Sequence, residues 1–260
     1  MAASAAPLLL LGPAASGRSA LLFRAALAAA SSSPDRVLFL APRPFQRLPG
    51  GGEAGAAPGA LQVRRGLSLR GCHLQRIQFL YPTSLQELLQ LLASLHDILP
   101  SSPSLMVLDS LEEYLGSCPG PHVAAQLAAL LLDTAHHFGQ KRSLERAGCQ
   151  LIVSMKFPGE AGDGAEQLSA IQRYFQAQCW LQLETQENRN SDGQGVAKLV
   201  RAHLSQPGTE DQEWMLIFEP REEMKISPVP CKSDSGTSSG SNKPPAAEVH
   251  HTLFWTSSGP

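Results

Sequence analysis

The sequence predicts an α/β protein in which a mostly parallel sheet is flanked by helices and continues into a C-terminal antiparallel strand meander. The first observation is the order of strand, glycine turn, helix and strand over residues 7–40, which is typical of a parallel βαβ unit. The second is a series of short strand-like segments between residues 179 and 226. The chain has 260 residues, of which 43% are hydrophobic, so it can bury a sizeable core.

The N-terminal part alternates apolar runs with helical patterns. Pro7–Leu11 and Val37–Leu40 are continuous apolar runs of the length of buried parallel strands. Between them, Ala20–Ala30 is rich in alanine, which has the highest helix propensity. His73–Phe79 alternates weakly and predicts a further strand. Ser84–Leu95 then predicts an amphipathic helix, which Thr83 or Ser84 can cap with Glu87 as the partner in a capping box.

The C-terminal part continues the same alternation and then changes to strands alone. Ser104–Asp109 and Cys149–Ser154 are short apolar strands, and His122–Phe138 and Gln167–Phe175 have helical patterns. The meander is predicted from four segments: Cys179–Leu183, Ala197–His203, Glu213–Phe218 and Glu223–Ile226.

Composition divides the chain into one core over residues 1–227 and a tail over residues 228–260. The tail contains seven Ser, five Pro and three Gly, too little apolar material to fold alone, so it is predicted to be disordered. Residues 41–72 are rich in Arg, Gly and Pro and predict a flexible loop within the core. The five cysteines are widely spaced and form no CxxC pair, which favours a reducing compartment, and no apolar run reaches the length of a membrane span.

Charge is divided unevenly along the chain. Residues 1–80 contain nine Lys or Arg and two Asp or Glu, whereas residues 81–260 contain twelve and twenty-one. Such asymmetry indicates an anionic partner for the N-terminal part, unless folding scatters the charges over the surface.

A phosphate-binding loop is predicted at Gly12-x-x-x-x-Gly17-Arg18-Ser19, between the first strand and the first helix. It matches the Walker A pattern except that Arg18 stands where lysine is expected. Its glycines let backbone N–H groups surround a phosphate, the helix N-terminus favours the same anion, and the Ser19 hydroxyl suits Mg²⁺. The alternative is an ordinary glycine-rich turn. The predicted nucleotide-binding residues are Gly12, Pro13, Ala14, Ala15, Ser16, Gly17, Arg18 and Ser19.

Two charged residues are the predicted catalytic groups of this site. Arg18 keeps a positive charge but spreads it over a guanidinium, so we expect phosphate binding to be kept or weakened and turnover to be lowered relative to lysine. Asp109 follows the apolar strand Leu105–Leu108 and is expected to hold Mg²⁺ together with Ser19. The alternative is that Asp109 only caps the following helix.

With these motifs in place, the chain resembles the RecA-type recombinases, and within them the paralogue family that associates with a SWIM-domain zinc-finger protein in the metazoan Shu complex. The segments that carry the resemblance are Leu8–Gly12, Ala20–Phe23, Val37–Leu40, Leu105–Leu115 and Arg173–Trp180. The resemblance implies a RecA-like core of the P-loop NTPase fold, with ATP and Mg²⁺ as ligands and an ATPase stimulated by single-stranded DNA. It further implies a heterodimer with the SWIM-domain protein, contact with the recombinase and its paralogues, homologous-recombination repair and a nuclear location, without a membrane.

The sequence also departs from that family. Where RecA-type enzymes have a catalytic glutamate after the second core strand, this chain has Pro42. Glu112 and Glu113 are alternatives, although both are also typical of the solvated first turn of a helix. Lys156, at the position of a polar sensor residue, is a hypothetical γ-phosphate contact.

The family's DNA-contacting loop is also unusual here. Residues 157–166 contain three acidic residues and no Lys or Arg, so this loop is predicted to be a poor DNA contact. The Arg-rich segment earlier in the chain is the better prediction, with a solvated loop as the alternative. Its predicted DNA-binding residues are Arg43, Arg47, Arg64, Arg65 and Arg70.

Three functions therefore compete on the sequence alone. The favoured one is an ATPase subunit that mediates recombination. A pseudo-ATPase scaffold, which acts only through protein partners, is supported by Arg18 and Pro42. A small-molecule P-loop kinase is permitted by the N-terminal loop, but such kinases usually carry an Arg-rich lid late in the chain.

Overall fold

The described part of the chain forms one sheet of nine strands with helices on both faces. A computed structural model describes residues 6–46, 73–116, 120–142, 148–157, 164–184, 197–218 and 224–229. Within these ranges, no helix is long and apolar enough to cross a membrane. The predicted tail over residues 228–260 lies outside the described residues apart from its first two, and most of the loop over residues 41–72 lies outside them as well.

The strands form one continuous sheet in the order β3-β2-β4-β5-β1-β6-β7-β8-β9. The pairs from β3 through to β6 are parallel, and those from β6 to β9 are antiparallel. The predicted mostly parallel sheet with a C-terminal antiparallel meander is therefore confirmed. The strand bounds are β1 Leu8–Gly12, β2 Val37–Leu40, β3 Ile77–Leu80, β4 Leu105–Leu108, β5 Gln150–Lys156, β6 Ala177–Glu184, β7 Lys198–Ser205, β8 Gln212–Phe218 and β9 Lys225–Pro228.

The described residues contain five helices, and the cap of one of them tests a prediction made from the sequence. Their bounds are α1 Arg18–Ser32, α2 Leu85–Ile98, α3 Leu111–Leu115, α4 Pro121–Lys141 and α5 Ala165–Gln172. The predicted cap of α2 is confirmed, since the Ser84 side chain accepts a hydrogen bond from the Glu87 N–H. Glu87 itself reaches back to the N–H and hydroxyl of Thr83, so both candidate capping residues take part.

The central strands are buried on both faces, which explains their continuous apolar sequences. One core lies between the sheet and α1, and it includes alternate residues of β1 such as Leu8 and Leu10. The other core lies between the sheet and α2 to α5, and it includes Leu9 and Leu11. A strand with helices on both faces needs apolar residues at every position, whereas a half-exposed strand needs them only at alternate positions. The half-exposed pattern is found in β7.

Two local predictions differ from the structure. The strand predicted from His73 begins only at Ile77, because His73 and Leu74 lie in a helical turn that the Arg76 N–H closes onto the His73 carbonyl at 3.0 Å. At the C-terminal end, β9 continues to Pro228, and the Val229 N–H donates to the Glu213 carbonyl at 3.3 Å. The last strand therefore ends one residue past residue 227, the predicted end of the core.

Candidate nucleotide-binding site

The predicted phosphate-binding loop connects β1 to α1 at the carboxyl edge of the parallel strands. Gly12 is the last residue of β1 and α1 begins at Arg18, so the loop leads directly into a helix N-terminus. The Ser16 N–H donates to the Pro13 carbonyl at 3.2 Å, which closes the turn between them. Ligands of open α/β sheets bind outside this edge, where the backbone N–H groups of the loop and the helix favour an anion.

Both glycines of the motif are required by the local geometry. A Cβ atom on Gly12 would lie 2.6 Å from the Ser16 Oγ and 2.9 Å from the Leu181 Cβ. Gly17 has a φ of +84°, which side-chain-bearing residues rarely adopt, and a Cβ there would lie 2.2 Å from the Cζ atom of Phe218. The loop is therefore pressed against the sheet on one side and against the end of β8 on the other.

One hydroxyl inside the loop has an unused hydrogen-bonding capacity. The Ser16 side chain is buried, and its Oγ finds no hydrogen-bond partner among the described residues. Buried hydroxyls in folded proteins nearly always have a partner, so an unpaired one calls for an explanation. A phosphate oxygen bound in the loop supplies a suitable acceptor.

Asp109 is held at the centre of the site by three hydroxyl groups. It is 2% exposed and follows β4, two strands away from the loop. Its Oδ2 accepts from the Ser19 Oγ at 2.6 Å, and its Oδ1 accepts from the Ser154 Oγ at 2.6 Å and from the Ser110 Oγ at 3.4 Å. Ser154 in turn accepts from the Ser110 N–H at 2.9 Å, which fixes the start of α3. The structure therefore brings the two predicted metal-binding residues, Ser19 and Asp109, into direct contact.

This pair of oxygens suits a magnesium ion. Mg²⁺ binds oxygen ligands at about 2.0–2.1 Å in octahedral geometry and takes only one or two carboxylates, the rest being water and phosphate. Neighbouring ligands then lie about 2.9 Å apart, so the two oxygens need to separate only slightly from 2.6 Å to admit the ion. A larger cluster is not expected, and the described residues contain no group of three His, Cys, Asp or Glu side chains able to hold a metal.

Arg18, which replaces the Walker A lysine, forms an ion pair with a glutamate of α3. Its guanidinium donates to the Glu112 carboxylate at 2.8 and 3.3 Å, and the same carboxylate accepts from the Lys156 N–H at 2.8 Å. Only 10% of the Arg18 side chain and 23% of the Glu112 side chain are exposed. Glu112 does lie in the first turn of α3, as one of the two interpretations has it, but its carboxylate is paired with the loop and only partly exposed to solvent. The Lys156 side chain is exposed at the end of β5.

The predicted DNA-binding arginines fall mostly outside the described residues, which exclude Arg47, Arg64, Arg65 and Arg70. Arg43 is described and lies on the surface. It forms an ion pair with Glu113, and this hydrogen bond raises the pKa of Arg43 above its usual value. Of the predicted acidic loop, residues 158–163 also lie outside the described part.

The sequence did not indicate that Ser154 and Phe218 lie at the site. It also did not indicate that Glu112 contacts Arg18. Ser154 is a fully buried serine in an apolar strand, and that isolated hydroxyl was the available signal. Phe218 ends β8 as an ordinary apolar residue, and nothing local indicates that its ring lies against Gly17. The Lys198 Nζ lies 5.8 Å from the centre of that ring, and burial lowers the pKa of Lys198.

The fold of this chain is that of the RecA-like P-loop ATPases. A DnaB-like replicative helicase has a TM-score of 0.57 and 11% sequence identity, over 83% of this chain and 56% of the helicase chain. This chain thus spans little more than half of that helicase. A KaiC-like protein from Pyrococcus horikoshii has a TM-score of 0.54 and 12% identity, over 86% of this chain and 89% of that protein. At such identities the likeness shows the fold alone.

Two curated relatives identify the family. The chain is 43% identical over 247 residues to the ATPase SWSAP1 of Homo sapiens. The aligned region covers 92% of this chain and 99% of the human protein. It is 41% identical over 251 residues to the ATPase SWSAP1 of Mus musculus, over 92% of this chain and 82% of the mouse protein. No family model matches the chain. The chain belongs to the family of the ATPase SWSAP1, and the resemblance stated from its sequence is confirmed.

Proposed function

We propose that this chain binds ATP together with Mg²⁺ and hydrolyses it. The observation that carries the proposal is the 2.6 Å contact between the Ser19 hydroxyl of the loop and the Asp109 carboxylate at the end of β4. A loop hydroxyl beside a carboxylate at a nearby strand end is the arrangement that holds the metal of a bound nucleotide. The two relatives named as ATPases support the same activity.

Each residue of the site has a definite task under this proposal. The backbone from Gly12 to Gly17 surrounds the phosphates, and Ser16 donates its free hydroxyl to one of their oxygens. Ser19 and Asp109 would hold Mg²⁺, which neutralises phosphate charge when it is bound. Arg18 supplies a positive charge at the end of the loop, and it has to give up part of its pairing with Glu112 to reach a phosphate.

A binding and turnover experiment with matched serine variants tests the site. We expect Ser19→Ala to lower the affinity for Mg²⁺–ATP, measured with a fluorescent ATP analogue, because it removes one predicted metal ligand. Ser31→Ala is the control, since Ser31 lies on the same helix but is exposed and bonds only to the Ala28 carbonyl. Equal affinities for the two variants would contradict the proposed site.

Replacement of Arg18 by lysine tests the expected effect on rate. Lysine is a compact point charge for the β- and γ-phosphates, whereas the Arg18 guanidinium is engaged by Glu112. We expect Arg18→Lys to hydrolyse ATP faster than the wild-type chain, with and without single-stranded DNA. An unchanged or lower rate in the lysine variant would count against this explanation of Arg18.

The cellular role that we propose is that of a DNA-binding subunit in a nuclear Shu-type complex. In it the chain pairs with a SWIM-domain zinc-finger protein, has an ATPase stimulated by single-stranded DNA, and promotes assembly or stability of the recombinase filament during homologous-recombination repair. Membership of the SWSAP1 family supports this role. Co-expression with the SWIM-domain protein followed by affinity purification tests the pairing, and recovery of the chain without that partner would contradict it.

The proposed DNA contact is the Arg-rich segment before β3. A combined Arg64, Arg65 and Arg70 to Ala variant is expected to bind single-stranded DNA more weakly and with a flatter salt dependence, because it neutralises fewer phosphates. Arg201→Ala is a matched control, since Arg201 is paired with Glu184 on the strand meander. Equal binding by the triple variant and the wild-type chain would refute the assignment.

A scaffold without hydrolysis is the second function, and one specific observation favours it. The Arg18–Glu112 ion pair neutralises the cation that a phosphate would use. A chain that binds its protein partner but shows no hydrolysis, with or without single-stranded DNA, would establish the scaffold instead of the ATPase.

A further inference from the structure

The Glu112 carboxylate lies where the phosphate-binding loop, the end of β5 and the start of α3 meet. Its two oxygens accept from the Arg18 guanidinium on the loop side, and Oε2 also accepts from the Lys156 N–H on the strand side. Lys156 is the register partner of Gly12, the first residue of the loop. The carboxylate is therefore held against the loop by two separate elements of the fold.

This position is within reach of the outer phosphate of a bound nucleotide. A cation at the Walker A lysine position contacts the β- and γ-phosphates, and Glu112 lies 2.8 Å from that cation in this chain. When Arg18 turns toward a phosphate, the Lys156 N–H still holds Glu112 in place. A γ-phosphate bound at Arg18 would then have the Glu112 carboxylate beside it, with one oxygen released from Arg18.

The other described carboxylates at this edge are committed elsewhere. Both oxygens of Asp109 accept from serine hydroxyls, Oδ1 from Ser154 and Oδ2 from Ser19, with which it would hold Mg²⁺. Glu113 points away to Arg43 on the surface. Pro42, which follows β2, has no side chain able to accept a proton. Of the acidic side chains that the described ranges place here, Glu112 is the one next to Arg18.

We propose that Glu112 is the catalytic carboxylate of this chain, which orients the attacking water and accepts its proton. This inference rests on the proposed ATPase function. In the step, the water oxygen forms a bond to the γ-phosphorus while the bond from that phosphorus to the β,γ-bridging oxygen breaks. The bonding pair leaves on ADP, the water proton passes to Glu112, and inorganic phosphate is the second product. Glu112 then returns the proton to solvent.

The ion pair with Arg18 gives this role a signature that a merely structural residue lacks. In the free chain Glu112 competes with phosphate for the Arg18 guanidinium. Removing the charge of Glu112 therefore leaves ATP affinity equal or higher, while it removes the proton acceptor and lowers the rate. Loss of a structural contact would instead lower affinity and rate together.

Turnover at saturating ATP and single-stranded DNA, together with ATP-analogue affinity, tests the assignment. We expect Glu112→Gln to lose turnover by about 100-fold or more, the usual contribution of a positioned acid or base. Its affinity should equal or exceed that of the wild-type chain. Glu113→Gln is the matched control, since it changes the adjacent carboxylate, and it should match the wild-type chain in both measurements. Thermal unfolding verifies that each variant is folded.

The outcomes separate this assignment from the ATPase proposal. Wild-type hydrolysis together with a Glu112→Gln rate within about threefold of it would overturn the role of Glu112 alone, because a proton acceptor contributes far more than that. A wild-type chain without hydrolysis would overturn the ATPase proposal and this role with it. If the Glu112→Gln variant unfolds at a lower temperature than the wild-type chain, the turnover of Glu112→Asp is measured instead. Aspartate keeps the negative charge, but its shorter side chain moves the carboxylate away from the water. A wild-type rate in the aspartate variant would contradict the assignment.

Discussion

Substitution of Gly17 by alanine tests the contact between the phosphate-binding loop and the end of β8. Gly17 combines a φ of +84° with a neighbouring aromatic ring, because the Cζ of Phe218 would lie 2.2 Å from an added Cβ. The chain also supplies a matched control at Gly208, whose φ is +80° and where an added Cβ would meet nothing within 4 Å. The two substitutions share the backbone strain and differ only in the clash.

The expected loss of stability follows from three contributions. A left-handed backbone conformation at alanine lowers the free energy of unfolding by about 1–2 kcal/mol. Replacement of glycine by alanine raises it by about 0.4–1 kcal/mol, because the unfolded chain has fewer conformations to lose. Gly208→Ala should therefore lower the free energy of unfolding by about 1 kcal/mol. Gly17→Ala adds overpacking against Phe218, worth about 1–3 kcal/mol, so its total is about 2–4 kcal/mol.

Urea unfolding of the two variants measures this difference, and a third substitution isolates its cause. In a Phe218→Ala background the ring is gone, so Gly17→Ala should then cost about as much as Gly208→Ala. A double-mutant cycle gives the coupling between Gly17 and Phe218, which we expect to exceed about 1 kcal/mol for such a contact. Equal losses for Gly17→Ala and Gly208→Ala in the wild-type background would refute the reasoning.

The remaining predictions concern the support of the site and the buried thiols. Ser154→Ala should lower the free energy of unfolding by about 1–3 kcal/mol, because it removes a buried hydrogen bond to the Asp109 carboxylate; a urea midpoint equal to that of the wild-type chain would contradict this. Ser84→Ala should lower it by about 1 kcal/mol through loss of the α2 cap, and Ser94→Ala is the control, since its half-buried hydroxyl bonds to carbonyls of the preceding turn of the same helix and caps nothing. Burial raises the pKa of Cys179 to about 12, above its value in the unfolded chain. The contribution of the neutral Cys179 thiol to the free energy of unfolding is fully present below about pH 9 and is lost as the pH rises toward 12. The urea midpoint of the wild-type chain should therefore fall across this range, and it should fall less in the Cys179→Ala variant.

The sequence predicts the phosphate-binding loop and most of the elements because their signals are local. Gly12 and Gly17 stand at a fixed spacing between an apolar run and an alanine-rich helix, and each step can be recognised within a few residues. The cap of α2 is similarly local, since Ser84 and Glu87 are three residues apart. Such features depend on backbone preferences that operate before any tertiary contact is made.

The contacts that complete the site could not be predicted, because they join residues distant in sequence. Arg18 meets Glu112 and Asp109 meets Ser154 only after α3 and β5 are placed around the loop. A glutamate in the first turn of a helix is typical of solvent exposure, so the first-turn position of Glu112 gives no local signal of its pairing with Arg18. Phe218 gives no local signal either, since its place against the loop depends on the register of β7 and β8.

The position of β1 in the middle of the sheet has a consequence for the order in which the chain acquires its structure. The strand is synthesised before both of its neighbours, since Leu8 pairs with Ile152 on one side and with Ala177 on the other. Until both segments leave the ribosome, four consecutive leucines have no partner strand. Pairing across such long intervals of sequence is slow, because the loop must close before contacts form. β1 is therefore synthesised well before the strands that pair with it, which exposes an apolar β-prone segment of the kind that chaperones protect.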